Sequence, residues 1–183
     1  GGGGGGGGQG SEVAPNAAAY SLTNSFIFEL EAAGGLCEWA VYAALHIPDH
    51  PRWPRLRECV TRELLERHVE EWAGDDAKEA FLQRDLGLPP AWLAAARAQW
   101  AAARWDHEAE LRERMLAGEW VAAHDLLSGH VAPRLFRAGE HARLRATLLE
   151  LAPHNRGIAT WSRGGGVYLA YYELQEYYDV ALV

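Results

Sequence analysis

His46 and His50 stand four residues apart, the spacing at which two imidazoles share a helical face and can hold a metal ion. Pro48 falls between them and breaks that geometry, and no third ligand is near, so they read as histidines at a helix end. His124, Asp125, Ser128 and His130 bring together the residue types of a hydrolase. The G-x-S-x-G elbow that exposes a nucleophile is absent. In "GEWVAAHDLLSGH", Trp120, Ala123 and Leu127 share one helical face, and Ser128-Gly129 read as its end. Glu63, Glu66 and Glu70, and Glu108, Glu110 and Glu113, are the raw material of paired carboxylates. They alternate with Arg62, Arg67, Arg112 and Arg114, the pattern of a solvated, ion-paired helix surface. Gly164-Gly165-Gly166 precede a helix and offer N–H groups to a phosphate, but no lysine or acidic partner accompanies them, so they read as a flexible joint. The residues therefore predict no catalytic group, no metal, no cofactor and no small-molecule substrate.

The elements that carry these residues read as helices. Leu22, Phe26 and Leu30 repeat at i, i+4, i+8 and are expected to form the buried face of a first helix, which Gly34-Gly35 end. "LCEWAVYAALHI" (36–47) is apolar nearly all round and is expected to be buried between neighbours, with Pro48 and Pro51 stopping it. In the next helix Leu56, Cys59 or Val60, Leu64 and His68 or Val69 make the stripe. Asp75-Asp76 suit a helix start, Gly87 a helix end, and Pro89-Pro90 the first turn of "AWLAAARAQWAAARW". Gly118, Gly129 and Gly139 punctuate shorter helices up to residue 153. Residues 155–166 form a looser connector before a last aromatic helix, 167–183.

No stretch alternates as a strand does, so the fold class is all-α, with about ten helices stacked as antiparallel pairs. No fixed-period repeat is present, which favours an irregular α-helical solenoid. Residues 1–19, opening on eight glycines, read as a disordered linker, and 20–183 as one helical domain that is incomplete at its C-terminal end.

Most of the eight tryptophans fall on apolar stripes. Trp39, Trp92, Trp100 and Trp120 are expected in the core, as are Trp72, Trp105 and Trp161. On that reading Trp39→Ala opens a cavity worth about 3–5 kcal/mol. Tyr168, Tyr171, Tyr172, Tyr177 and Tyr178 point several ways around Leu169 and Leu174, so the last helix needs cover on more than one side. These five tyrosines are the candidate protein interface.

The formal charge of -8 shows no basic face, which excludes direct nucleic-acid binding, and no apolar run reaches the roughly 18 residues of a membrane-inserted helix. Cys37 and Cys59 form no CxxC and read as small buried hydrophobes suited to a reducing compartment.

Several motifs together resemble the ninety-six-kilodalton scaffold nucleoporin of the Y-shaped nuclear pore subcomplex. They are "LEAAGGLCEWAVYAALHI", "RELLERHVEEW", "FLQRDLGLPPAWLAAARA", "GEWVAAHDLLSGHVAPRLFRAGE" and "LLELAPHNRGIATWSRGGGVYLAYYEL", in that order over about residues 22–180. The resemblance implies an α-solenoid of the kind shared with vesicle coats. It also implies a structural role in the nuclear pore complex at the nuclear envelope, supporting transport of protein and mRNA. The partners it implies are the other helical scaffold nucleoporins of the Y-complex hub, and the segment resembles the C-terminal part of the family. A subunit of a vesicle coat or tethering complex is the alternative for a solenoid of this type.

Overall fold

A computed structural model describes residues 14–50 and 52–181. The glycine run assigned to a linker lies outside the described residues. The first helix, α1, spans Ala14–Ala33. It begins ahead of Tyr20, so residues 14–19, placed in the linker by the sequence, are helical; Ala17, Ala18 and Ala19 are strong helix formers.

By their contacts the described residues divide into two compact units, one up to Leu86 and one from Gly87 onward, where the sequence predicts one domain. The first unit contains α1, α2 (Cys37–Leu45), α3 (Leu56–Arg67), α4 (Val69–Trp72) and α5 (Asp76–Ala80), which runs on into a π-helical turn, Phe81–Asp85. The second contains α6 (Pro90–Ala103), α7 (His107–Leu116), α8 (Trp120–Leu126), α9 (Ala132–Arg137), α10 (His141–Leu151) and α11 (Gly165–Ala181). A π-helical turn, Leu127–Val131, joins α8 to α9, and two 3-10 turns, Ala152–Gly157 and Trp161–Arg163, lead to α11. Among the described residues there is no strand, only a single bridge between His50 and Trp53. The fold is all-α. Within the units α1 packs on α2, α2 on α3, α6 on α7, α7 on α8, α9 on α10 and α10 on α11, as a stacked-helix solenoid requires.

Several stops and starts follow from local chemistry. The Asp75 carboxylate caps α5 by accepting from the N–H groups of Ala77 and Lys78. Pro90 opens α6. Gly87 takes a φ of +65°, a turn that side chains resist, and ends the preceding helical run. Gly129 does not punctuate, however: the chain stays helical through it by widening to the π turn.

Burial corrects several expected faces. In α1 the buried residue is Ile27, while Leu22 and Phe26 are exposed. Two stripes of helical period coexist in this helix, and the neighbouring helices select Ile27 and Glu31, four residues apart, over Leu22 and Phe26. α2 is buried through Cys37, Ala40, Val41, Ala43 and Ala44, yet Leu36, Trp39 and Tyr42 face outward. Trp39 is thus 46% exposed and not a core residue. It leans on the Phe81 ring at 5.1 Å, at the edge of the unit. Trp72 is the tryptophan that fills this core, 1% exposed, with its indole N–H donating to the Leu65 carbonyl at 2.9 Å.

In α6 the buried positions are Leu93 and alanines, whose small side chains let neighbours approach closely. Trp92 and Trp100 are half-buried beside them, and Arg104 covers the Trp100 ring at 4.6 Å. Trp120 is also half-buried, stacked on His154 at 3.6 Å. Trp105 is 80% exposed with a φ of 58°, so it belongs to a turn and not to the core.

Glu31 ties α1 to α3 and to His68. Its Oε1 lies 2.8 Å from Arg67 Nη1 and 2.7 Å from His68 Nε2, whose ring also reaches Glu71. Burial pushes the Glu31 carboxyl upward, but hydrogen bonds and charge from His68 and Arg67 outweigh this and hold it below 4.5. The unfolded chain therefore binds this proton more readily than the folded one. The clamp's contribution is complete above the ordinary carboxylate range and is lost as pH falls through the depressed folded value. Acid titration of unfolding free energy should accordingly fall more steeply below about pH 4.5 in the native sequence than in Glu31→Gln. Equal slopes would remove the clamp.

Candidate protein interface

The residue types that suggested chemistry are held apart or already occupied. His46 Nδ1 lies 2.9 Å from the Tyr42 carbonyl, whereas His50 stacks on Trp53 and accepts from the Arg52 N–H at 3.1 Å. No group of three or more His, Cys, Asp or Glu among the described residues is arranged to hold a metal.

His124 is 1% exposed. Its Nε2 accepts the backbone N–H of Gly165 at 3.0 Å, which places the ring proton on Nδ1, facing Thr160 Oγ1 at 3.2 Å. Thr160 in turn donates to Asp125 at 3.3 Å. Ser128 Oγ is 3.2 Å from the same Nε2, so serine, histidine and aspartate do meet. The lone pair a general base needs is taken by a backbone amide, and the ring is sealed from solvent, so the cluster is a joint between α8 and the start of α11. His130 is elsewhere, against His107 at 4.4 Å.

The three glycines at the start of α11, Gly164 just before it and Gly165 and Gly166 in its first turn, are correspondingly not a flexible joint. A Cβ on Gly164 would lie 2.5 Å from Ser128 Oγ and 2.7 Å from His124 Nε2. One on Gly165 would meet the Trp161 ring at 2.8 Å, and one on Gly166 the Trp161 carbonyl at 2.9 Å. Absence of side chains here is a requirement of packing.

Several of the glutamates are ion-paired, some with arginines of other helices and not with those they alternate with. Glu113 accepts from Arg97 at 2.9 Å, Glu63 pairs with Arg67, and Glu108 with Arg134 and Arg143. Glu110 departs from a solvated face: it is buried, with Arg114 at 2.7 Å.

The cysteines differ in the same way. Cys37 is buried and its thiol is pushed up to about 12, chiefly by desolvation. Cys59 is exposed, because the buried side of α3 turns to Thr61, Leu64 and Leu65. Titration of the native protein with a thiol reagent should modify Cys59 alone, and Cys59→Ser should abolish the fast phase. A second fast thiol would show Cys37 to be accessible.

The tyrosine-rich end resolves into two faces. Tyr172 is 5% exposed and belongs to the core of the second unit with Leu144, Leu148 and Leu151. Its hydroxyl lies 3.0 Å from His141 Nδ1, and Tyr168 packs half-buried against the same core. These two are positioned by their own unit and are corrected as interface residues. Tyr171, Tyr177 and Tyr178 are exposed. With Val167 and Leu174, Tyr171 and Tyr178 follow the spacing i, i+4, i+7, i+11, a continuous apolar stripe on the outer side of α11. That spacing was present in the sequence but was obscured by the aromatics of the inner face.

The chain matches the family model of nuclear protein 96 (Nup96) over residues 7–100. It is 30% identical over 156 residues to the nuclear pore complex protein NUP96 of Arabidopsis thaliana, covering 85% of this chain and 15% of that protein. It is 26% identical over 160 residues to the nuclear pore complex protein Nup98-Nup96 of Dictyostelium discoideum, covering 85% and 8%. The corresponding protein of Drosophila melanogaster is 26% identical over 158 residues, covering 84% and 8%. The chain thus spans a small part of the length of these curated relatives.

Proposed function

The chain belongs to the nuclear protein 96 (Nup96) family, and from that premise we propose that it is a structural element of the nuclear pore complex, acting through contacts between helical proteins and carrying no catalysis. The finer reading is that it serves the Y-shaped subcomplex, contacts the helical nucleoporins of its hub and so supports transport of protein and mRNA. The observation that carries this reading is the family match itself, which spans half of a chain whose relatives bear nuclear pore names. The fold agrees with it. Most helices bury one face, and apolar residues on α1, α2 and α11 stay exposed for neighbouring surfaces. The interface within this element is the outer stripe of α11, with Tyr171, Tyr177 and Tyr178.

Expressed with a fluorescent tag in cells, the full chain should mark the nuclear rim. Capture from those cells should return Y-complex subunits. Golgi or endosomal puncta would instead assign the chain to a coat or tethering complex.

A further inference from the structure

The second unit also holds a groove to which α11 contributes no lining residue. Helices α7, α9 and α10, with the π turn between α8 and α9, enclose about 220 Å³ there. Leu111, Met115, Val131 and Leu135 form its floor. All four belong to the core, and the unbranched Met115 can adjust its shape to an inserted group. From Glu108 to Leu116 the α7 wall runs about 12 Å at the usual helical rise. One end is shut, because Glu108 pairs with Arg134 of α9 and Arg143 of α10. The two walls carry unlike charges: exposed Arg112 stands on α7 and exposed Glu150 on α10. Neither has an ion-pair partner among the described residues. The acid one turn before Arg112 is Glu108, already committed to Arg134 and Arg143. The basic residue one turn after Glu150 is His154, whose ring is stacked on Trp120. An apolar slot between one unpaired cation and one unpaired anion has a definite complement. We infer that the groove docks a short segment of another protein in which one large aliphatic side chain stands between an acid and a base. The aliphatic group enters the slot, the acid faces Arg112 and the base faces Glu150. A segment with two acids or two bases sets like charge against one wall.

The test uses the full chain and short labelled peptides. Three share a central leucine, with one serine spacer on each side, flanked by Asp and Lys, by two Asp or by two Lys. A fourth is the Asp and Lys peptide with alanine in place of leucine. Fluorescence anisotropy should show the mixed-charge leucine peptide binding at least roughly tenfold tighter than the others, with the charge preference weakening as salt is added. Arg112→Glu should move the preference to the peptide with two Lys, and Glu150→Lys to the peptide with two Asp. Both positions are exposed, so these changes spare the core and decide the matter even if a bulkier variant fails to fold. Thr147→Phe, on the half-buried α10 wall, should fill the slot and abolish binding while the circular dichroism stays helical. Arg163→Glu, the same change of charge outside the groove, and Val121→Glu, at an exposed position on α8, should leave binding intact. Equal binding of all the peptides, preferences that ignore the charge exchanges, or no binding at all would overturn the inference. Self-association of the chain that Thr147→Phe abolishes would assign the slot to a second copy and overturn it too. Binding is read on the isolated chain, so its failure leaves the nuclear-rim test of the scaffold reading untouched.

Discussion

Trp72→Ala should lower the unfolding free energy by about 3–5 kcal/mol, the cost of emptying a large aromatic site in a packed core. Two terms act together there. The ring is 1% exposed, and its N–H is the partner of the Leu65 carbonyl, which loses that bond when the ring is removed. Trp39→Ala, by contrast, should cost about 1–2 kcal/mol, because a ring that is 46% exposed gives up less burial and chiefly its contact with Phe81. Chemical denaturation followed by far-UV circular dichroism measures both. If the two substitutions were equally damaging, the assignment of the core to Trp72 would be wrong.

The second large effect lies at the entrance to α11. Gly164→Ala should cost about 1–3 kcal/mol, because the new methyl group would sit 2.7 Å from the buried His124 ring. Ser128 Oγ can rotate away, but the ring is pinned by the Gly165 N–H on one side and Thr160 on the other. His124→Ala alone should leave the Gly165 amide without its acceptor, for a loss of similar size, about 1–3 kcal/mol. The double variant should therefore lose less than the sum of the two single variants, since the methyl occupies space the ring has vacated. Additive losses would mean that Gly164 and His124 do not share one packed joint.

The sequence disclosed the helical architecture well, because helical period and stop signals are local. Asp75, Gly87 and Pro90 act within a turn of where they stand, and each does what its chemistry predicts. Which face of a helix is buried depends on neighbours distant in sequence. α1 offers Leu22 with Phe26, and Ile27 beside Glu31, and the packing of neighbouring helices, with Glu31 linked to Arg67 and His68, decides between them. Size misled in the same way. Trp39 and Trp105 are large and apolar yet lie at edges and turns, while the α6 core is built from Leu93 and alanine, which carry little signal singly. On α11 the sequence singled out five tyrosines but not their faces, since Tyr172 turns inward to His141 only because α10 packs there. The glycine triplet was misread because close approach by Trp161 and His124 is a tertiary event.

The central claim is that this helical element works by laying its outer α11 face against another nuclear pore protein. Its most direct measurement is site-specific photocrosslinking in cells, with a photoreactive phenylalanine at position 174 and, in a parallel sample, at position 121. Adducts from position 174 should contain another nucleoporin, and those from position 121 should not. A coat-complex subunit at position 174, or no nucleoporin adduct there while the chain stands at the nuclear rim, would contradict the account.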